Sequence, residues 1–185
     1  MKFWTVQKRA LVDQALKEGE YQPIFELSYY TRIMRGLDEL YEIFRNVYCD
    51  VNGVEVPGLV FAFTKMEGKH VSQFNDIDDF RAYMKEHKAS ILSLWRYFRS
   101  NDMVVVELEV PDEFNPIYID INDFQFLMPP VIYPKPYTPA TYMEIMDNIT
   151  RGDIQVSVFP SGIGQAHLPS IKRENIVKVY DMFSI

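Results

Sequence analysis

The stretch that decides the fold is Met103-Val104-Val105-Val106-Glu107-Leu108-Glu109-Val110. Its apolar residues recur with a period of two, which predicts a β-strand whose successive side chains point to opposite faces. One face is apolar throughout and consists of Val104, Val106, Leu108 and Val110. The opposite face begins apolar and ends with Glu107 and Glu109. Such a strand is covered at its start and opens to solvent, or to a site, at its end.

The two glutamates leave two interpretations open. Two carboxylates whose environments separate their pKa values supply an acid and a base for catalysis. Alternatively, charged side chains protect an exposed strand edge from pairing with another chain. We favour the second interpretation for Glu107 and Glu109.

Helices and strands occur in irregular order around this strand. Apolar residues recur at three- and four-residue spacing in five segments, which predicts amphipathic helices over residues 7–18, 28–48, 77–84, 89–98 and 139–151. Further strands are predicted at residues 3–6, 58–64, 117–121, 154–159 and 176–180. We therefore predict one α+β domain spanning residues 1–185, with a mixed, mostly antiparallel sheet and about five helices.

Local signals fix several ends of these elements. Gly19 and Gly152 follow helical patterns in the position where a left-handed residue ends a helix. Asp76 and Thr138 precede helical patterns and are residue types that cap a helix N-terminus. Asn52-Gly53 favours a type I′ hairpin turn. Ser161-Gly162-Ile163-Gly164 is glycine-rich and predicts a flexible loop between strands.

Composition limits the classes of partner. The formal net charge is −7, with 26 acidic and 19 basic residues. Direct binding to nucleic acid is disfavoured, because it requires clustered Lys and Arg. Basic protein surfaces fit the acidic balance better. No apolar run approaches the roughly 18 residues of a membrane span, and Cys49 is the single cysteine, so we expect a cytoplasmic protein.

Metal binding is not expected from the sequence. His70, His87 and His167 are far apart and lack paired spacing, which argues against a structural zinc site. Asp120 and Asp123 bracket a short polar segment, where oxygen ligands suit a hard cation. The spacing is not that of a calcium loop, and we favour a capped turn at this point.

Two other segments suggest ligand or partner binding. Tyr30 and Arg32 lie near the start of the predicted long helix. These residue types bind flat anionic ligands such as nucleotides. The proline-rich residues 129–139 are stiff and carry Tyr133 and Tyr137. This segment is a partner-binding ligand, a lid, or a connection along the surface.

The chain opens with Trp4-Thr5-Val6-Gln7, and in this it resembles a bacterial and phage domain family of unknown function that opens with W-T-x-Q. The family's long helix and its L-E-L-E-V-P-D strand are similar to Tyr30-Thr31-Arg32-Ile33-Met34 and Val106-Glu107-Leu108-Glu109-Val110-Pro111-Asp112. Its closing pattern is similar to Ile154-Gln155 followed by Ile176-Val177-Lys178-Val179-Tyr180. The resemblance extends over most of the chain.

The order of strands and helices more distantly resembles small ADP-ribosyltransferases. That resemblance implies a split sheet that binds NAD, with Thr5, Gln7, Tyr30 and Arg32 contacting the nucleotide. Those enzymes carry a catalytic glutamate near the start of a late strand. Here Gln155 or Asp153 stands in that position, and Thr5 or Gln7 stands where many of them use histidine or arginine.

Two functions follow from these observations. The first is an enzyme-like nucleotide pocket, with NAD as the cofactor and Gln155 or Asp153 in the catalytic position. The second is a non-enzymatic acidic module that binds a protein partner, such as an inhibitor carried by a phage or mobile element. The strand order and the polar residues on those strands motivate the first function. The acidic balance, the missing glutamate and the aromatic proline-rich segment motivate the second, and we rank the two nearly equal.

Overall fold

A computed structural model of the chain describes residues 1–27, 38–92, 95, 100–127, 138–152 and 160–182. The helices in these ranges are α1 (Arg9–Glu18), α2 (Asp38–Asn52), α3 (Ile77–Glu86), α4 (Ile121–Leu127) and α5 (Pro139–Arg151). The strands are β1 (Lys2–Lys8), β2 (Glu20–Tyr21), β3 (Val60–Glu67), β4 (His70–Ser72), β5 (Met103–Glu109), β6 (Ile117–Asp120), β7 (Ile163–Leu168), β8 (Ile171–Lys172) and β9 (Ile176–Asp181). The predicted α+β class, with about five helices, is confirmed.

One large sheet organises the molecule. Its strand order is β6-β7-β3-β1-β5-β9, with β4 also paired to β3, while β2 and β8 form a separate two-stranded sheet. Every strand pair among the described residues is antiparallel. β1 matches β5 over its whole length, from Lys2↔Glu109 to Lys8↔Met103. With β3 it shares a single matched pair, Trp4↔Phe63.

The face predicted to be apolar on β5 lies in one core. Val104, Val106, Leu108 and Val110 are buried there, together with Phe3 of β1 and Val12 and Ala15 of α1. Ile171 of the small sheet closes the same core. α1 and the β2–β8 pair therefore cover this face of the large sheet, as the alternation in β5 requires.

The other face of the sheet carries the remaining helices. Near β1 and β5, the core contains Trp4 and Val105 together with Phe80 and Met84 of α3. Near β6 and β7, α2 and α5 pack on the sheet through a second cluster, whose buried members include Phe44, Val47, Ile117, Ile145 and Ile149. The two helices thus lie side by side over the β6 edge.

The predicted capping residues of the helices are confirmed, although α2 continues four residues past its predicted end at Tyr48. Gly19 is left-handed, and its N–H donates to the Ala15 carbonyl at the end of α1. The Asp76 carboxylate accepts from two backbone N–H groups in the first turn of α3. The Thr138 hydroxyl accepts from a first-turn N–H of α5, and left-handed Gly152 ends that helix.

Two loop predictions are wrong. Asn52-Gly53 does not form a hairpin turn, because Asn52 is the last residue of α2. Its side-chain amide donates to the Tyr48 carbonyl one turn earlier. Gly53 takes its positive φ of 63° at a helix end instead. The glycine-rich segment at residues 161–164 is not a flexible loop, because β7 begins at Ile163 and all six of its residues are buried.

Several predicted elements fall outside the described residues. They are the first part of the long helix (28–37), half of the helix at 89–98, most of the proline-rich segment and the strand at 154–159. The closing strand β9 is confirmed, and it pairs with β5. Among the described helices, none has the length and apolar character needed to span a bilayer.

Candidate functional site

The W-T-x-Q segment lies in β1, in the interior of the large sheet. Thr5 is fully buried, and its hydroxyl donates to the Phe61 carbonyl of β3 at 2.6 Å. The Gln7 side-chain amide donates to the Thr5 hydroxyl at 2.9 Å. The Thr5 side chain therefore links β1 to β3, where the two strands share a single matched pair, and Gln7 holds the Thr5 hydroxyl from within β1. Their contact with a nucleotide stays a prediction.

The other residues predicted to form a site, Tyr30, Arg32, Asp153 and Gln155, lie outside the described residues. Tyr133 and Tyr137 of the proline-rich segment do so as well. Whether the predicted nucleotide contacts lie near the predicted catalytic position is therefore not tested, and both remain predictions.

Glu107 does not lie at a strand edge, so the edge interpretation is wrong for it. β5 pairs with β1 on one side and with β9 on the other. The Glu107 residue is only 6% exposed, and its carboxylate accepts from the Lys2 ammonium and the Tyr180 hydroxyl, each at 2.8 Å. The hydrogen bond to Glu107 raises the pKa of Lys2. Glu107 thus joins three neighbouring strands on one face.

Asp120 caps a turn, as the sequence favoured. Its carboxylate accepts from the Asn122 N–H at the start of α4 and from both the N–H and the hydroxyl of Ser161. Ser161 in turn holds the start of β7 through hydrogen bonds with Ile163. In the part of the chain that the structure describes, no group of three metal-ligating side chains is close enough to hold an ion.

His167 is a fully buried histidine in an aromatic environment. Its Nδ1 lies 3.2 Å from the Ile117 carbonyl, and its Nε2 has no hydrogen-bond partner. The rings of Phe44 and Phe61 lie 4.6 and 4.8 Å from it, centroid to centroid. Burial lowers the pKa of His167 to about 3, so the ring is neutral at physiological pH and donates through Nδ1.

A groove of about 280 Å³ lies where the ends of α2 and α5 meet the β3–β4 hairpin and the segment leading into β6. We call it the helix-end groove. Its lining residues are Val47, Val51, Met66, Lys69, Val71, Asn115, Pro116, Ile117, Tyr118, Ile149, Thr150, Arg151 and Gly152. The floor continues into the core, because Val47, Ile117 and Ile149 are buried.

The rim of the helix-end groove is polar. Lys69 lies in the β3–β4 turn, and Arg151 is the last residue of α5, where it forms an ion pair with Asp147. Burial raises the pKa of Tyr118 to about 12, and its hydroxyl donates to the Met1 sulfur at 3.6 Å. Asn115 has a φ of 34°, the one positive value among the described non-glycine residues. Strained backbone of this kind clusters at functional sites.

Sequence reasoning missed this groove because four separate segments build it. Each segment reads as the end of a helix or strand, and none carries a motif of its own. The packing of α2 against α5, which the Asn46 amide reinforces by donating to the Tyr142 hydroxyl, brings the two helix ends together. A usable signal was the apolar spacing of Val47, Val51 and Val54 beyond the predicted helix end.

No protein-family model matches the chain, and no curated protein or solved structure is significantly similar to it. The resemblances drawn from the sequence therefore stay predictions.

Proposed function

We propose that the protein is a non-enzymatic module that binds a protein partner, and that the helix-end groove accepts apolar side chains of that partner. The observation that carries the proposal is the groove itself, an apolar floor with a polar rim in a protein of net charge −7. Binding surfaces of proteins combine an apolar centre with a polar border in this way.

The size of the groove favours side chains over a dinucleotide. Pockets for small molecules enclose roughly 300–1,000 Å³, and the groove, at about 280 Å³, lies just below that range. NAD is among the larger cofactors and needs more room than this. One or two large apolar side chains of a peptide fit the same space.

The rigidity of the floor favours binding without rearrangement. Val47 and Ile149 belong to the cluster that packs α2 and α5 on the sheet. Val51, by contrast, is 41% exposed at the rim, and the neighbouring Val54 is 46% exposed. A partner that covers these two valines removes apolar surface from water at roughly 25 cal/mol per Å².

A random-peptide display selection against the whole protein tests the proposal. We expect enriched peptides with apolar residues, and Val51→Glu should weaken their binding at least about tenfold, because a charge replaces apolar surface at the contact. Leu92→Glu is the matched control, since Leu92 is 63% exposed and does not line the groove. Equal loss in both variants, or no enrichment at all, would refute the groove as the binding site.

The nucleotide hypothesis makes a different prediction for the same protein. A ligand that binds only the folded state stabilises it in proportion to the logarithm of ligand concentration over Kd. A rise in Tm with millimolar NAD, lost in Thr5→Val but retained in Val51→Glu, would favour that hypothesis over the groove. We expect no such rise.

A further inference from the structure

Asn52-Gly53, the single Asn-Gly dipeptide of the chain, lies where α2 ends. It does not form the hairpin turn that the sequence predicts, and the proposed function makes no use of it. We infer that this dipeptide is a site of spontaneous modification, at which the Asn52 side chain loses ammonia and becomes aspartate or isoaspartate. The inference goes beyond the proposed function, because the reaction requires no partner and occurs within this chain.

The backbone nitrogen of Gly53 is the nucleophile of this reaction. Hydroxide removes its proton, the nitrogen attacks Cγ of Asn52, and the Cγ–Nδ2 bond breaks as Nδ2 takes a proton from water and leaves as ammonia. The product is a cyclic imide. Water then opens the imide at Cγ, which gives aspartate, or at the backbone carbonyl carbon, which gives isoaspartate. The net change consumes water and releases ammonia, and it needs no oxidant or cofactor.

Gly53 presents this nitrogen without crowding. It is exposed, its φ is 63°, and a Cβ built on it would meet no heavy atom within 4 Å apart from its chain neighbours. Glycine has no side chain that would hinder the approach of the nitrogen to Cγ, and it adopts many backbone conformations at little cost. The surroundings of Gly53 therefore leave room for the ring to close.

Asn52 lies at the point where the hydrogen bonds of α2 stop. The Val54 N–H donates to the Cys49 carbonyl at 3.1 Å, which is the pattern of a helix that ends on a left-handed glycine. In this pattern Asn52 is the residue that flanks the helix, and the last turn of a helix frays. The backbone of Asn52 therefore reaches the conformation needed for ring closure by local opening, without unfolding of the domain.

The hydrogen bonds of the Asn52 amide determine what the modification changes. Its Nδ2 donates to the Tyr48 carbonyl at 3.0 Å and to the Asn115 carbonyl at 3.4 Å, so it joins the end of α2 to the segment before β6. A carboxylate in its place cannot donate and faces two carbonyl oxygens. The new negative charge is also disfavoured at the C-terminal end of a helix, and the last turn of α2 carries no basic residue. The modified helix end should therefore be less stable.

Incubation of the native protein in mildly alkaline buffer, followed by peptide mapping with mass spectrometry, tests the inference. We expect the Asn52 peptide to show the mass gain of an amide converted to an acid at least about tenfold faster than the peptides of Asn75 and Asn101, which is ~1.4 kcal/mol in activation free energy. Those two asparagines are exposed and precede aspartate, so they are internal controls. Asn52→Gln should abolish the gain in its peptide, because the longer side chain must close a larger ring.

The consequence for stability is measured on Asn52→Asp, which has the sequence of one product. Its Tm should fall by about 2–4 °C, whereas Asn101→Asp, the same change in an exposed turn, should leave the Tm unchanged. Equal mass gain in the three peptides overturns the inference, and so does a gain at Asn52 that occurs only in urea, since the folded helix end would then prevent the reaction. Equal Tm values for the two aspartate variants overturn the predicted loss of stability.

Discussion

His167 should make the fold sensitive to mild acid. Its pKa is about 3 in the folded protein, against 6.5 for an unperturbed histidine. Because the folded-state pKa is the lower one, protons bind preferentially to the unfolded chain as the pH falls. The stability that depends on the neutral ring is therefore fully present above about pH 6.5 and is lost progressively between about pH 6.5 and pH 3.

The size of the effect follows from the two pKa values. Each pH unit below about 6.5 costs roughly 1.4 kcal/mol of unfolding free energy until the folded-state pKa is reached. Acidification from about pH 7 to pH 5 should thus cost about 2 kcal/mol through this one residue. That is a large part of the roughly 5–15 kcal/mol that stabilises a typical domain.

Urea unfolding at a series of pH values, followed through the fluorescence of the buried Trp4, measures this cost. The variant His167→Gln does not titrate, so its stability should fall less steeply with acid. His70→Gln is the matched control, because it makes the same substitution at an exposed histidine in β4. Identical pH dependence in His167→Gln and wild type would refute the assignment of the acid sensitivity to His167.

Three further predictions concern the sheet. Gly164→Ala should lower the free energy of unfolding, measured in urea, by about 1–3 kcal/mol, because the new Cβ would lie 2.4 Å from the Thr64 hydroxyl. Adding Thr64→Ala to this variant should restore part of the lost stability. Asp120→Ala should lower the free energy of unfolding by about 3 kcal/mol, since it leaves three buried or partly buried donors without their acceptor. An unchanged free energy of unfolding would contradict this prediction. Glu107→Gln should lower the Lys2 pKa toward 10.5 in an NMR titration, and an unchanged pKa would show that Glu107 does not raise it.

The sequence predicts the interior strands β1, β3 and β5 well because their signal is local, whereas it misses the interior strand β7. The alternation in residues 103–110 needs only that one face of the strand be buried, and the whole apolar face lies in one core. The capping residues Asp76 and Thr138 are also predicted correctly, because a cap acts within one turn of its own helix.

The predictions that are wrong depend on distant contacts. Asn52-Gly53 has the dihedral preference of a hairpin, but the same positive φ ends a helix when α2 continues to Asn52. Ser161 stands two residues before the ordered strand β7, and Asp120, 41 residues earlier, holds it there by accepting its N–H and hydroxyl. Glycine content predicts that the backbone is conformationally free. It does not show which residue, distant in sequence, restricts the backbone through a hydrogen bond.

The helix-end groove shows the same limit for function. Its floor depends on the packing of α2 against α5, and its cations come from a turn and a helix end that are far apart in sequence. No spacing rule connects Lys69 with Arg151. Such a groove becomes visible only when the three-dimensional arrangement of the ends is known.

The single matched pair between β1 and β3 divides the large sheet into two halves. β1, β5 and β9 form one half, and β6, β7, β3 and β4 form the other. Thr5 spans the seam between them by donating to the Phe61 carbonyl, with Gln7 holding its hydroxyl. Because the strands share so little pairing here, we expect local opening to begin along this seam, and hydrogen exchange should detect it first in the β3 amides that face β1.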